Sequence, residues 1–292
     1  MRYPSLESTV KQSTEFTVRR MQPEDRDTAV RLTQAEGWPH RREDWDFHCL
    51  LGQGWIASTA DGAMVGTILW WSYGSAAGAA GLLVVDRRYR GNGIGRRLIE
   101  AIIDEAGPRT VQSVATRSGI RVLGALGFRK IGMVQQWQGV PSAIIIEEPT
   151  DLILRTADQT SLPSLCELDE RAFGAKRFEL LASILTQNDG VLAEKDGQLV
   201  GFGLIRPAGR GMVIGPVVAS DESIAKTIVS RLLTIDASFT RIDIPANANG
   251  LAEYLQQSGL ILVDQAPVLK LGEGMSSGQS VRSFAMASQS LG

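Results

Sequence analysis

Apolar and polar positions along this chain fall into a repeating order of short strands and amphipathic helices. Phe16 to Arg19 predicts a strand, Asp25 to Gln34 a helix, Trp55 to Ser58 and Met64 to Trp71 two strands, and Ala80 to Val85 an apolar strand. A helix follows, with Leu98, Ile99, Ala101, Ile102 and Ile103 on one face and Arg96, Arg97, Glu100, Asp104 and Glu105 on the other. Ser113 to Ala115, Gly119 to Leu126 and Arg129 to Gln136 then predict strand, helix and closing strand.

The order begins again about 135 residues on. The run from Val18 to Asp25 returns from Leu154 to Ser161, Asp61 to Leu69 returns as Asp196 to Leu204, and Leu126-Gly127-Phe128 returns as Ser258-Gly259-Leu260. This repeat predicts a duplication: an α/β (α+β) protein of two tandem domains, residues 15–139 and 150–272, each a mixed twisted sheet flanked by helices. The linker is expected between Gly139 and Thr150, and residues 1–14 and 273–292 as mobile tails, with Val281 to Leu291 able to dock as a short helix or strand.

Chemistry concentrates where the Ala80 to Val85 strand empties into Asp86-Arg87-Arg88-Tyr89-Arg90-Gly91-Asn92-Gly93-Ile94-Gly95-Arg96. Three glycines allow close backbone approach, and the first free N–H groups of the next helix attract anionic oxygens, so the segment reads as a pyrophosphate cradle flanked by Arg90 and Arg96. A dinucleotide fingerprint needs G-x-G-x-x-G near the first strand, and an NTPase loop needs Lys followed by Ser or Thr after its last glycine. Neither pattern is present, because the spacing is G-x-G-x-G and Arg96-Arg97 follows.

The run Arg90-Gly91-Asn92-Gly93-Ile94-Gly95 resembles the acetyl-CoA motif R-G-x-G-I-G of the GNAT superfamily of N-acetyltransferases. The segments around Glu36 to Trp45, Trp70 to Gly74, Leu168 to Gly174 and Ile214-Gly215-Pro216 are similar to a bacterial tandem group of that superfamily with a YitH-like C-terminal domain. The resemblance implies acetyl-CoA as co-substrate, held by Leu83, Val84, Val85, Arg90, Gly91, Asn92, Gly93, Ile94, Gly95 and Arg96, and a small-molecule amine or amino-acid-like acceptor attacked in a ternary complex. It also implies that a backbone N–H of Val84 or Val85 steadies the oxyanion, and that a tyrosine general acid is missing because Leu123 stands in its place.

Acyl transfer to a primary amine needs a base or desolvation, since only about one amine in a thousand is neutral at pH 7. Glu36, His40 and Asp44 are the candidate bases, and Trp38, Trp45 and one of Trp70 and Trp71 (Trp71 is the choice) are candidate cleft walls. His48 is expected to be structural. In the second half, aligning Gly81 with Gly215 sets Ile224, Ala225, Thr227 and Val229 where the cradle should be, so that copy is expected to have lost the cofactor. Asp243 and Asn247 are candidates for the acceptor wall, with Asn247 and Asn249 as helix caps the alternative reading.

Composition narrows the classes. A net charge of −2 over 292 residues argues against nucleic-acid or membrane partners, and two distant cysteines with two histidines give no disulfide framework or metal motif. There is no signal-peptide pattern and no spanning apolar run, so a cytoplasmic monomer or homodimer without metal is expected. Two other functions remain open: a non-catalytic acyl-CoA sensor, and an acyltransferase using another donor or a hydroxyl acceptor.

Overall fold

The computed structural model describes residues 15–145, 151–186, 189–236, 238–275 and 280–292. The first half runs β1 (Phe16–Arg20), α1 (Arg26–Ala35), α2 (Arg42–Leu51), β2 (Gln53–Thr59), β3 (Met64–Tyr73), β4 (Ala77–Val85), α3 (Ile94–Ala106), β5 (Thr110–Val114), α4 (Arg117–Ala125) and β6 (Arg129–Gly139). The second repeats it as β7 (Ile153–Thr156), α5 (Leu162–Phe173), α6 (Phe178–Leu185), β8 (Gly190–Lys195), β9 (Gln198–Ala208), β10 (Gly211–Ala219), α7 (Glu222–Ile235), β11 (Thr240–Pro245), α8 (Asn249–Gln257) and β12 (Ile261–Leu271), followed by a thirteenth strand, β13 (Arg282–Ala285).

The halves do not keep their own closing strands. One sheet runs β1-β2-β3-β4-β5-β12-β6-β11-β10-β9-β8-β7. Strand β12 of the second half pairs antiparallel with β5 of the first, Val268 opposite Val114, while β6 of the first pairs with β11 of the second, Ile242 opposite Trp137. The sequence reading placed each closing strand in its own domain. The two strands also pair with each other, so the exchange joins the halves into one continuous sheet.

Both faces of the sheet are covered. Trp70 and Trp71 are neighbours on β3 and therefore point to opposite faces, each into a different core. On one side α3 buries Ile94, Leu98, Ile99 and Ile102 against Trp55, Ile68 and Trp70, and α7 packs equivalently on the second half with Ile228, Leu232 and Leu233. On the other, Trp45, Trp71 and Leu69 share one core with Leu165, Leu181, Phe202 and Leu204, which joins the two halves.

Residues 280–292, expected as part of a mobile tail, are docked. Strand β13 pairs with β10, Tyr73 Oη donates to Leu291 O at 2.6 Å, and Leu291 is fully buried. Residues 1–14 lie outside those described.

Candidate functional site

Strand β4 carries a bulge: Leu69 faces Gly81 and Thr67 faces Val84, with Leu82 at φ +53° taking up the extra residue. Parallel pairing to β5 covers only Ala77–Ala79 with Thr110–Gln112, so beyond it the two strands diverge and open a cleft. The Asp86 N–H donates to Val65 O at 2.8 Å, and strand alternation then turns the Val84 N–H toward β3. The open edge belongs to Leu83 and Val85, and Arg90 Nε donates to Val85 O at 2.9 Å from that side. Of the two residues expected to turn an N–H to the cleft, Val84 is corrected accordingly and Val85 keeps its place on the open edge; Leu83 lines the cleft.

At the end of β4 the cradle has the expected backbone. Gly91 has φ +82° and Gly93, the N-cap of α3, has φ +83° with no capping side chain. The first intrahelical bond is from Arg97 N–H to Gly93 O at 3.1 Å, leaving the N–H groups of Ile94, Gly95 and Arg96 without helical partners. A Cβ placed on Gly93 would meet nothing within 4 Å. This open, uncapped start to a long helix fits a diphosphate.

The side chains around the cradle differ from expectation. Ile94 is a core anchor whose side chain is 1% exposed. Arg90 Nη2 contacts Glu36 Oε1 at 2.6 Å and Arg87 Nε contacts the same oxygen at 3.1 Å, so Glu36 stabilises the loop. The hydrogen bond from Arg90 holds the Glu36 carboxyl below its ordinary range, which makes it a poor base. Arg96 shares Glu100 with Arg97 at the surface, and Asn92 Nδ2 closes the turn onto Tyr89 O at 3.0 Å.

The second half has no such loop. Strand β10 and α7 are separated only by Ser220 and Asp221, and the Asp221 carboxylate accepts the Ile224 N–H at 2.9 Å, placing a negative charge where an anion would bind. Ile224, Ala225, Thr227 and Val229 lie inside α7, not in a turn. Strands β10 and β11 also diverge, after Ile214 and Ile242, but this second opening is filled by β13: Val217 pairs with Ala285, and the Met286 N–H donates to Asp243 O at 2.9 Å. Gly215 admits the filling segment, since a Cβ there would stand 1.9 Å from Met286 O.

The cleft in the first half continues between the halves as a cavity of about 380 Å³. Its walls include Trp38, His40, Leu82, Leu83, Leu123, Arg206, Arg241 and Ser290. His40 has no partner for Nδ1, and burial lowers its pKa to about 4, with Arg241 and Arg206 pushing the same way against Asp44. His48, edge-on to it at 6.2 Å between ring centroids, is buried and also held neutral. Asp44 reaches the cavity with its oxygens already engaged by Arg41 Nη2 at 3.0 Å, the Arg41 N–H at 2.8 Å and the Gly209 N–H at 3.1 Å. Burial would raise its pKa, but those donors hold it low. Of the three candidate bases, only His40 combines a place on the cavity wall with a free nitrogen.

Other candidates fall elsewhere. Trp45 is fully buried with Nε1 donating to Thr33 Oγ1 at 3.2 Å, and Trp71 is fully buried with Nε1 donating to His48 O at 2.9 Å, so both are core residues and not cleft walls. Asp243 is buried and paired with Arg241 at 2.9 Å. Asn247 lines a separate cavity with Lys130 and Lys270, and Ala248, not Asn247, precedes α8 as its cap. Leu123 does face the cleft, and brings no proton donor. Arg206, Arg241 and Ser290 were missed; the available signal was an arginine set among the apolar residues of Phe202 to Ala208.

A twisted mixed sheet with a divergent strand pair, followed by a glycine-rich turn into a helix and repeated along the chain, defines a tandem acyltransferase. Residues 19–128 match the model described as the acetyltransferase (GNAT) family, and residues 165–281 match that of an acetyltransferase (GNAT) domain. The chain belongs to the GNAT family of acetyltransferases. It is 28% identical over 268 residues to YitH of Bacillus subtilis, named an uncharacterized N-acetyltransferase, covering 90% of this chain and 94% of that one. A Pyrococcus horikoshii structure assigned as an acetyltransferase superposes with a TM-score of 0.77 at 19% identity, covering 100% of both chains. A tandem GNAT protein from the clavulanic acid biosynthesis pathway gives 0.59 at 16%, covering 90% of this chain and 100% of that one. Among the described residues no group of side chains is placed to hold a metal, and no helix is long and apolar enough to cross a membrane.

Proposed function

We propose that this protein is an acetyl-CoA-dependent N-acetyltransferase of the cytosol with one cofactor site, at residues 83–96, and a small-molecule amine as acceptor. The contrast between the two helix starts carries the reading: α3 begins at a bare glycine with free N–H groups, and α7 begins at a carboxylate. Acetyl-CoA supplies a thioester whose acyl carbon is open to attack by an amine.

The Leu83 N–H on the open edge of β4 is the donor to negative charge developing on the acyl oxygen. His40, neutral at pH 7 and too weak a base to keep a proton there, accepts a hydrogen bond from the amine and relays its proton to solvent, and burial of the site favours a neutral amine over an ammonium ion. With Leu123 at the usual acid position, the sulfur departs as thiolate or takes its proton from solvent. That same leucine favours the sensor as a second reading. Calorimetric titration with acetyl-CoA should give one site per chain, and thiol release across an amine panel should separate enzyme from sensor. Two sites per chain, or no binding, would refute the cofactor assignment; binding without turnover would select the sensor.

A further inference from the structure

Arg206 stands in β9 opposite Val213 of β10, within the run Leu204-Ile205-Arg206 that is otherwise apolar and buried. It is 5% exposed, lies over the Phe47 ring at 4.6 Å from its centroid, and lines the cavity that also holds His40 and Leu83. Its Nε has no partner, and among the described residues it makes no hydrogen bond or ion pair. The nearby cations are already balanced: Arg41 grips Asp44, and Arg241 grips Asp243. Arg206 is thus a buried cation without an ion-pair partner among the described residues, on the wall of a cavity of about 380 Å³. Burial lowers its pKa to about 10, which still leaves it charged at neutral pH.

A buried charge without a counterion is strongly unfavourable, and a ligand anion relieves it. The planar fork of a guanidinium matches a carboxylate in shape as well as charge. One unbalanced cation calls for a monoanion, since a phosphate dianion would leave a negative charge unanswered. We infer that Arg206 binds the carboxylate of the acceptor amine, so that the acceptors are amino acids or amino-acid-like acids and not neutral amines or polyamines. This rests on the acetyl-transfer reading of the cleft. The acid group anchors at β9, in the second half, while the amine faces His40 and the β4 edge in the first. The duplicated half then contributes a specificity residue to a reaction whose cofactor it does not hold.

The test uses the full chain, acetyl-CoA, and matched pairs of acids and amides: the twenty L-amino acids, β-alanine and γ-aminobutyrate against their carboxamides. Thiol release should favour at least one acid over its amide by about a hundredfold or more in kcat/KM. Arg206→Gln should bring that ratio close to one with the KM for acetyl-CoA unchanged, and Arg206→Lys should retain part of it. Equal use of acid and amide by the wild type, or an undiminished preference in Arg206→Gln, would overturn the assignment even if acetyl transfer is real. Should no acceptor release thiol, the acetyl-transfer reading fails separately, and thermal protection of the binding site decides the anion site. Protection by acids and not amides, lost in Arg206→Gln, supports it; protection indifferent to the carboxylate overturns it.

Discussion

Asp44 accepts the Gly209 N–H through Oδ2 at 3.1 Å, tying the start of α2 in the first half to the β9–β10 turn of the second at the rim of the cleft. Its other bonds go to Arg41, so one buried carboxylate holds its own helix start and the partner half together. Asp44→Asn should cost about 1–3 kcal/mol in urea unfolding, because it removes charge-assisted bonds at a buried group. It should also raise KM for the acceptor more than for acetyl-CoA. A variant as stable as wild type, with unchanged acceptor KM, would show that the contact is incidental.

His40 sets a pH dependence whose sign is fixed. Its pKa is lowered from 6.5 to about 4 on folding, so below pH 6.5 the unfolded chain takes up the proton more readily than the folded one. Stability is therefore lost as pH falls from about 6.5 to 4, by roughly 3 kcal/mol from this group alone. His48 adds to the same trend. Denaturation midpoints measured between pH 4 and 7.5 should fall less steeply for His40→Gln than for wild type; parallel slopes would contradict the buried neutral imidazole.

Gly93→Val places a β-branched residue at φ +83° and should weaken acetyl-CoA binding at least about tenfold, since strain of about 1–3 kcal/mol distorts the donor loop. Asp221→Gly uncaps α7 yet should create no second site, because β13 still fills the opening between β10 and β11. Calorimetry checks both. Native affinity in Gly93→Val, or two sites in Asp221→Gly, would be the contrary result.

Arg177 and Asp169 form an ion pair at 2.6 Å with both side chains wholly buried, and Arg177 Nη1 also donates to Gly292 O at 2.6 Å. Arg177→Met should destabilise by about 3–5 kcal/mol by leaving Asp169 uncompensated, and adding Asp169→Leu should recover much of that loss. Equilibrium unfolding of the single and double variants measures it. If the double variant is no better than the single, the cost lies in the lost Gly292 contact instead.

The glycine-rich turn into α3 was legible because its signals are local: glycines with left-handed backbone and a helix start lie within a few residues of one another. The order of elements was legible for the same reason, although β5 begins at Thr110, three residues before the predicted strand. The strand exchange was not, since β6 and β12 carry similar patterns and their partners are chosen by contacts far along the chain. Trp71 misled because a strand beside a cleft was expected to have one wet face, whereas here a second core covers it. Arg206 escaped notice because an isolated arginine in an apolar strand acquires meaning only when the carboxylates around it prove to be taken.

Trading β6 and β12 also binds the fate of the two copies together. Cutting the chain near residue 145 would strip the interior of each fragment of a strand supplied by the other, exposing two long raw edges prone to self-association. Neither half therefore completes its own sheet: each depends on a strand that the other donates, so the two stand or fall as one folding unit.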